Sequence, residues 1–167
     1  MTKQKYNVLF LCTGNSARSI MAEVLMNHWA GERFQGFSAG SFPKDDVHPL
    51  SLKFLESMNL ETHSLRSKSW DEFIGDQAPQ MDFVFTVCDN AATETCPIWI
   101  GSPMTAHWGI ADPAAAEGSE TQKLAAFRTA FRELESRIRL FADLPLATLD
   151  KMSLQREIDK IGQNKAG

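Results

Sequence analysis

The sequence predicts an α/β protein built on an open sheet of parallel-type strands, and three observations carry that reading. A continuously apolar run, Val8-Leu9-Phe10-Leu11, passes directly into a loop and then into a helical pattern. A second apolar run, Met81 to Val87, again ends in a polar stretch. Between and beyond the two, apolar residues recur at helical spacing. Unbroken apolar strands are the kind buried on both faces, which parallel sheets covered by helices require.

The elements follow in order. Residues 6–12 read as the first strand, and Met21, Val24, Leu25, His28 and Trp29 mark a helix closed by Gly31. Residues 34–39 form a second strand. Pro49 opens a helix carrying Leu52, Leu55 and Met58, since proline suits a first helical position. Residues 81–87 form the third strand. The stretch 96–117 is rich in Pro, Gly and Ala and reads as a long loop around a short strand near 106–108; such loops usually carry function. Ser119 and Gln122 make a capping box for a long amphipathic helix with Leu124, Phe127, Phe131, Leu134, Ile138 and Phe141 on its core face, ended by Pro145. Residues 1–145 are thus expected to be one catalytic domain. Residues 146–167 are polar with a weak helical pattern and are expected to be a C-terminal surface extension that frays at its end, not a separate domain.

At 167 residues the chain is large enough for a continuous core without disulfides. A net charge of -4 and the lack of any Lys/Arg run argue against nucleic acid or an anionic membrane as partner, so an anionic substrate must be attracted locally. The start, Met1-Thr2-Lys3-Gln4-Lys5, shows no signal-length apolar segment, and nothing approaches the ~18 apolar residues of a membrane span. A cytoplasmic location is expected, with Cys12, Cys88 and Cys96 as thiols and any disulfide between them transient.

The chemistry centres on Cys12-Thr13-Gly14-Asn15-Ser16-Ala17-Arg18-Ser19, placed where a strand turns into a helix. Successive backbone N–H groups of such a turn, together with the free N–H groups of the following helix, converge on one point and hold an oxyanion. The same field lowers the pKa of a cysteine there, from about 8.5, and supplies a thiolate. Arg18 adds a planar fork able to grip two oxygens at once. Gly14 and Asn15 suit positive-φ positions, and the Ser16 and Ser19 hydroxyls can bond loop backbone or sulfur. An ordinary turn after a buried cysteine is the competing explanation, but Cys-x5-Arg followed by a hydroxyl residue is too specific a pattern for it.

Cys88 leaves the third strand at its C-terminal end, the edge where open α/β sheets bind ligands, so its sulfur is expected to share a cleft with Cys12. Cys88 and Cys96 are eight positions apart; a helix between them would separate their Cα atoms by about 12 Å, against the roughly 5.5 to 6 Å of a disulfide. Pairing therefore needs a looped segment, and residues 89–95 are polar enough to loop. Unpaired thiols and a metal site with His107 are the other readings; the set lacks the close ligand pairs of zinc motifs, so no metal is expected. Asp112-Pro113 sits in the long loop, where the carboxyl can protonate a leaving oxygen, although Asp-Pro is also a common turn starter.

These residues, with Ser38-Ala39-Gly40, Thr86-Val87-Cys88, Cys96-Pro97 and His107-Trp108-Gly109, resemble arsenate reductases of the low-molecular-weight protein tyrosine phosphatase fold over residues 6–143. The resemblance implies a four-stranded parallel sheet with helices on both faces and Cys12 attacking arsenate or similar oxyanions. It implies a relay in which Cys88 attacks the Cys12 adduct, and Cys96 then takes over Cys88 and presents the disulfide to thioredoxin; glutathione with glutaredoxin is the other donor. Ala17 stands where relatives carry a second loop cysteine. Lys68 stands where some relatives place an aspartate that helps to hold potassium, while Asn15, Glu23 and Ser38 match the rest of that site; an ammonium at Lys68 can replace the ion. The alternative is a phosphotyrosine phosphatase, against which stand the two extra thiols and Ala114-Ala115-Ala116 in place of an aromatic wall.

Overall fold

The computed structural model describes residues 5–89, 91, 97, 99 and 101–163. Four strands, β1 (Tyr6–Leu11), β2 (Phe34–Ala39), β3 (Phe83–Thr86) and β4 (Met104–His107), form one all-parallel sheet in the order β2-β1-β3-β4. The helices are α1 (Arg18–Ala30), α2 (Pro49–Ser57), α3 (Glu120–Ala142) and α4 (Lys151–Gly162). β3 is shorter than the apolar run 81–87 suggests, but the run's ends still pair with β1 through Asp82 N–H to Asn7 O and Val87 N–H to Leu11 O, both at 2.9 Å. The Ser119/Gln122 capping box forms as the sequence predicts.

Alternation along β1 divides the core. Val8 and Phe10 face a large cluster to which α1, α2, α3 and α4 all contribute, including Leu25, Phe54, Phe131 and Ile158. Leu9 and Leu11 face a smaller one with Ala39, Met81 and Val84, flanked by Phe37 and by Trp70 and Phe73 of a 3-10 helix, Trp70–Phe73. The helical cover is thus unequal among the described residues. On the larger side the Phe85 and Trp108 rings stack 3.9 Å apart at 11°; truncating such a buried aromatic costs about 3–5 kcal/mol.

Two expectations change. The helix after β1 begins three residues before Met21, and His28 and Trp29 lie on its exposed side, Trp29 under the Arg139 guanidinium at 4.2 Å. The C-terminal segment is not a fraying surface tail over the described part. Its helix α4 buries Leu154, Ile158 and Ile161, and Trp108 Nε1 donates to Ile158 O at 2.9 Å. The apolar positions are four and three apart, which gives a helix one narrow stripe, and a short polar helix shows little else in sequence.

Candidate active site

Register brings the sulfurs together. Ala39, Leu11, Thr86 and His107 form one row across the sheet, so Cys12 and Cys88 emerge at the same C-terminal edge from adjacent strands. Both are buried free thiols, close enough for each to shift the other's ionisation. Thr13 N–H donates to Cys88 Sγ at 3.3 Å and Ala91 N–H at 3.4 Å, with Thr13 Oγ1 at 3.7 Å.

The loop between Cys12 and α1 is held open for an anion. Ala17, at the N-cap, supplies no side-chain cap, and the first turn of α1 holds no acid, so the helix's first N–H groups are left for a ligand. The loop carbonyls are turned outward by a neighbouring strap: Phe42 N–H binds Thr13 O at 3.0 Å, Lys44 N–H binds Gly14 O at 2.9 Å, and His48 N–H binds Ser16 O at 3.0 Å. Ser67 and Ser51 hydroxyls add bonds to Gly14 O and Ser16 O. Asn15 takes the predicted left-handed conformation at φ 44° and is pinned by Nδ2 to Ser19 Oγ at 2.8 Å and by Lys68 N–H to its Oδ1 at 2.8 Å. Gly14 does not need a positive φ; the Lys44 stem packs over the space a side chain would take. The glycine that sterics demand is Gly40, where a Cβ would fall 2.4 Å from Thr13 O and 2.8 Å from Cys12 O.

The two thiols push each other's ionisation in opposite directions. The hydrogen bond from Cys88 and burial push the Cys12 thiol up, outweighing the pull of Arg18 and the Gly14 N–H. The same hydrogen bond, with the Ala91 and Thr13 donors, pushes Cys88 down against burial. The loop field thus acts on the pair, and the negative end rests on Cys88 instead of on Cys12 as the sequence predicts.

Arg18 NH1 donates to Ile110 O at 2.9 Å, its NH2 lies 3.8 Å from Asp112 Oδ2, and its Nε is buried with no acceptor among the described residues. Asp112 starts a turn: Oδ1 accepts from Ala114 N–H at 2.9 Å and opens a 3-10 turn, while Oδ2 faces Arg18 at the mouth of the loop. A cavity of about 200 Å³ is lined by Cys12, Arg18 and Asp112 and also by Phe42 and Lys44. The sequence analysis missed these last two; only the strap brings them to the mouth.

The potassium position does not fit a metal here. Lys68 Nζ lies 3.3 Å from Ser38 Oγ, 2.9 Å from Arg66 O and 3.6 Å from Glu23 Oε1, and Asn15 Oδ1 is taken by Lys68 N–H. Burial lowers the Lys68 pKa, with Glu23 opposing. A built-in ammonium thus occupies the donors. Among the described residues no cluster of His, Cys, Asp and Glu suited to a metal occurs. His107 instead bonds Thr86 Oγ1 at 2.8 Å and Asp89 Oδ1 at 2.9 Å. Cys96 lies outside the described residues, as do residues 92–95 of the interval expected to loop. Among the described residues no helix is long and apolar enough to cross a membrane.

Residues 7–157 match the model of the low molecular weight phosphotyrosine protein phosphatase family, and the chain belongs to that family. An arsenate reductase of Halalkalibacterium halodurans is 35% identical over 136 residues, 81% of this chain and 94% of that protein. A crystal structure of an arsenate reductase from Archaeoglobus fulgidus superposes with a TM-score of 0.65 at 26% identity, covering 82% of this chain and 99% of that one. A thioredoxin-dependent arsenate reductase of Corynebacterium glutamicum gives a TM-score of 0.56 at 26% identity, covering 84% of this chain and 65% of that one.

Proposed function

We propose that this protein reduces arsenate to arsenite at Cys12 and passes the oxidising equivalents through Cys88 and Cys96 to an external thiol donor. The observation that carries the reading is a second buried thiol, Cys88, brought to the sheet edge beside Cys12 and bonded by Thr13 N–H of the anion loop. Hydrolysis needs one nucleophile; reduction needs a second thiol, because forming a disulfide from two thiols supplies the two electrons that arsenic takes up.

In this reading the loop N–H groups and Arg18, through its unpartnered Nε, hold three arsenate oxygens. The Cys12 proton passes to the neighbouring Cys88. Cys12 sulfur then bonds arsenic as one As–O bond breaks, and the departing hydroxyl takes a proton from Asp112 and leaves as water. Cys88 attacks Cys12 sulfur as its proton passes to an oxygen of the departing arsenic group. The S–S bond forms, the S–As bond breaks, and its electron pair stays on arsenic, converting As(V) to arsenite. Cys96 next attacks Cys88, freeing Cys12, and the donor reduces the resulting disulfide. Thioredoxin is the donor placed first, because the Corynebacterium glutamicum relative depends on it. The reaction belongs in the cytoplasm, where such donors are kept reduced.

Hydrolysis of aryl phosphates is a second activity of the same cradle. Phe42, 75% exposed at the cavity mouth, offers a ring face that Ala114–Ala116 do not. Arsenate-dependent NADPH oxidation, followed in parallel with thioredoxin plus its reductase and with glutathione plus glutaredoxin, tests the assignment beside hydrolysis of an aryl phosphate. Arsenate-dependent oxidation with one of these donors is expected. Phosphate ester hydrolysis with no arsenate reduction under either donor overturns the reading in favour of a phosphatase.

A further inference from the structure

Arg137 stands outside the chemistry described above, yet it is a buried cation, 2% exposed, on the core side of α3. Its NH1 donates to Gly109 O at 2.9 Å. The next carbonyl, Ile110 O, accepts from Arg18 NH1 at 2.9 Å. Two guanidiniums, one from the anion loop's helix and one from α3, thus grip successive carbonyls of the segment that ends in Asp112.

The rest of the segment is similarly constrained. Trp108 N–H binds Thr86 O at 2.7 Å and Ile110 N–H binds Val87 O at 3.0 Å, which ties its start to β3 and the residue next to Cys88. At Gly109 a Cβ would meet His107 Nε2 at 2.8 Å and Asp89 Oδ1 at 2.9 Å, so the chain passes close beneath that pair and has little room to shift on that side. Arg137 closes the opposite side. Burial lowers its pKa, with Glu133 opposing, so the guanidinium is held beside Gly109 O at a desolvation cost. A well-packed apolar side chain would serve a purely structural role as well or better.

We infer that Arg137 is a positioning residue: by pinning Gly109 O it fixes the Ile110 carbonyl against Arg18 and sets the reach of Asp112 over the Cys12 cradle. This rests on the assignment of Asp112 as proton donor. An error near 1 Å in such placement costs up to about 100-fold in rate.

The test is a double-mutant cycle read by the single-turnover rate of arsenite release from the fully reduced protein, with folding checked by near-ultraviolet circular dichroism. Arg137→Met should slow release by about 10- to 100-fold while arsenate affinity changes much less. Asp112→Asn should also slow it, and the Arg137→Met/Asp112→Asn protein should be no slower than Asp112→Asn alone, because an acid already absent cannot be misplaced. Arg137→Lys keeps a donor near Gly109 O and should fold and recover part of the rate, which keeps the cycle readable if Arg137→Met does not fold. A parent rate in Arg137→Met, or in Arg137→Lys losses that multiply with those of Asp112→Asn, overturns the inference. A parent rate in Asp112→Asn alone removes the proton-donor role and the inference with it. Failure of the reductase reading looks different: the parent protein itself releases no arsenite.

Discussion

Cys12 and Cys88 leave neighbouring strands at the same sheet edge, but their surroundings are built differently. The segment after Cys12 is tied on the outside by three backbone bonds from residues 42–48, capped by an α-helix with free N–H groups, and locked by Asn15. Cys88 accepts hydrogen bonds from that loop, through Thr13, and from Ala91 three residues on. The first sulfur belongs to an anion site; the second is held against that site. Reactivity at Cys88 is therefore borrowed from the loop, whereas the loop's ability to bind an anion does not require Cys88.

The most severe way to break this asymmetry is Cys12→Ser. An alcohol replaces the thiol that both reactions use, and arsenate reduction and aryl phosphate hydrolysis should each fall by about 1,000-fold or more. Steady-state rates for both substrates check it; retention of either sinks the role given to Cys12.

Cys88→Ala should divide the two activities. Multiple-turnover reduction should stop, while any phosphate ester hydrolysis persists. Because Cys88 is the largest influence raising the Cys12 pKa, its removal should also let Cys12 ionise at lower pH. The pH dependence of iodoacetamide alkylation at Cys12 reads this directly, and its midpoint should move down; an upward movement would show that Cys88 stabilises the Cys12 thiolate.

Gly40→Ala attacks the loop side alone. A methyl group 2.4 Å from Thr13 O must push the loop away from β2, so phosphate or arsenate binding should weaken and stability should fall by about 1–3 kcal/mol. Denaturant unfolding and isothermal titration with phosphate separate the two effects. A variant that binds anion like the parent would show that the cradle tolerates the shift.

The smallest expected effect sharpens the account of Lys68. Exchanging sodium for potassium should leave the thermal midpoint and turnover unchanged, since the ammonium already holds Ser38 and Glu23. Lys68→Gln should lose anion affinity without regaining it in sodium; a marked potassium response in the parent protein contradicts the built-in cation.

Local chemistry made much of this molecule legible in sequence. The apolar strands, the capping box at Ser119 and Gln122, the left-handed Asn15 and the Cys12-to-Ser19 loop each depend on residues close in the chain, so spacing alone reports them. The α4 stripe was harder to read because its burial depends on Trp108 and the edge of β4, about fifty residues away. Likewise nothing near Gly40 in sequence reveals that its Cβ would strike two carbonyls of the loop after β1.

By itself the sequence determined the strand–loop–helix setting of Cys12 and the order of strands and helices, because backbone geometry and hydrophobic period are local properties. Only the tertiary structure decided where the thiol proton rests, that Lys68 fills a cation position, that Phe42 and Lys44 line the mouth, and that Arg137 reaches the segment carrying Asp112. Each of these depends on a distance between groups far apart in the chain, and electrostatic and hydrogen-bond energies at a few ångströms are set by that distance and by burial, which the order of residues alone does not specify.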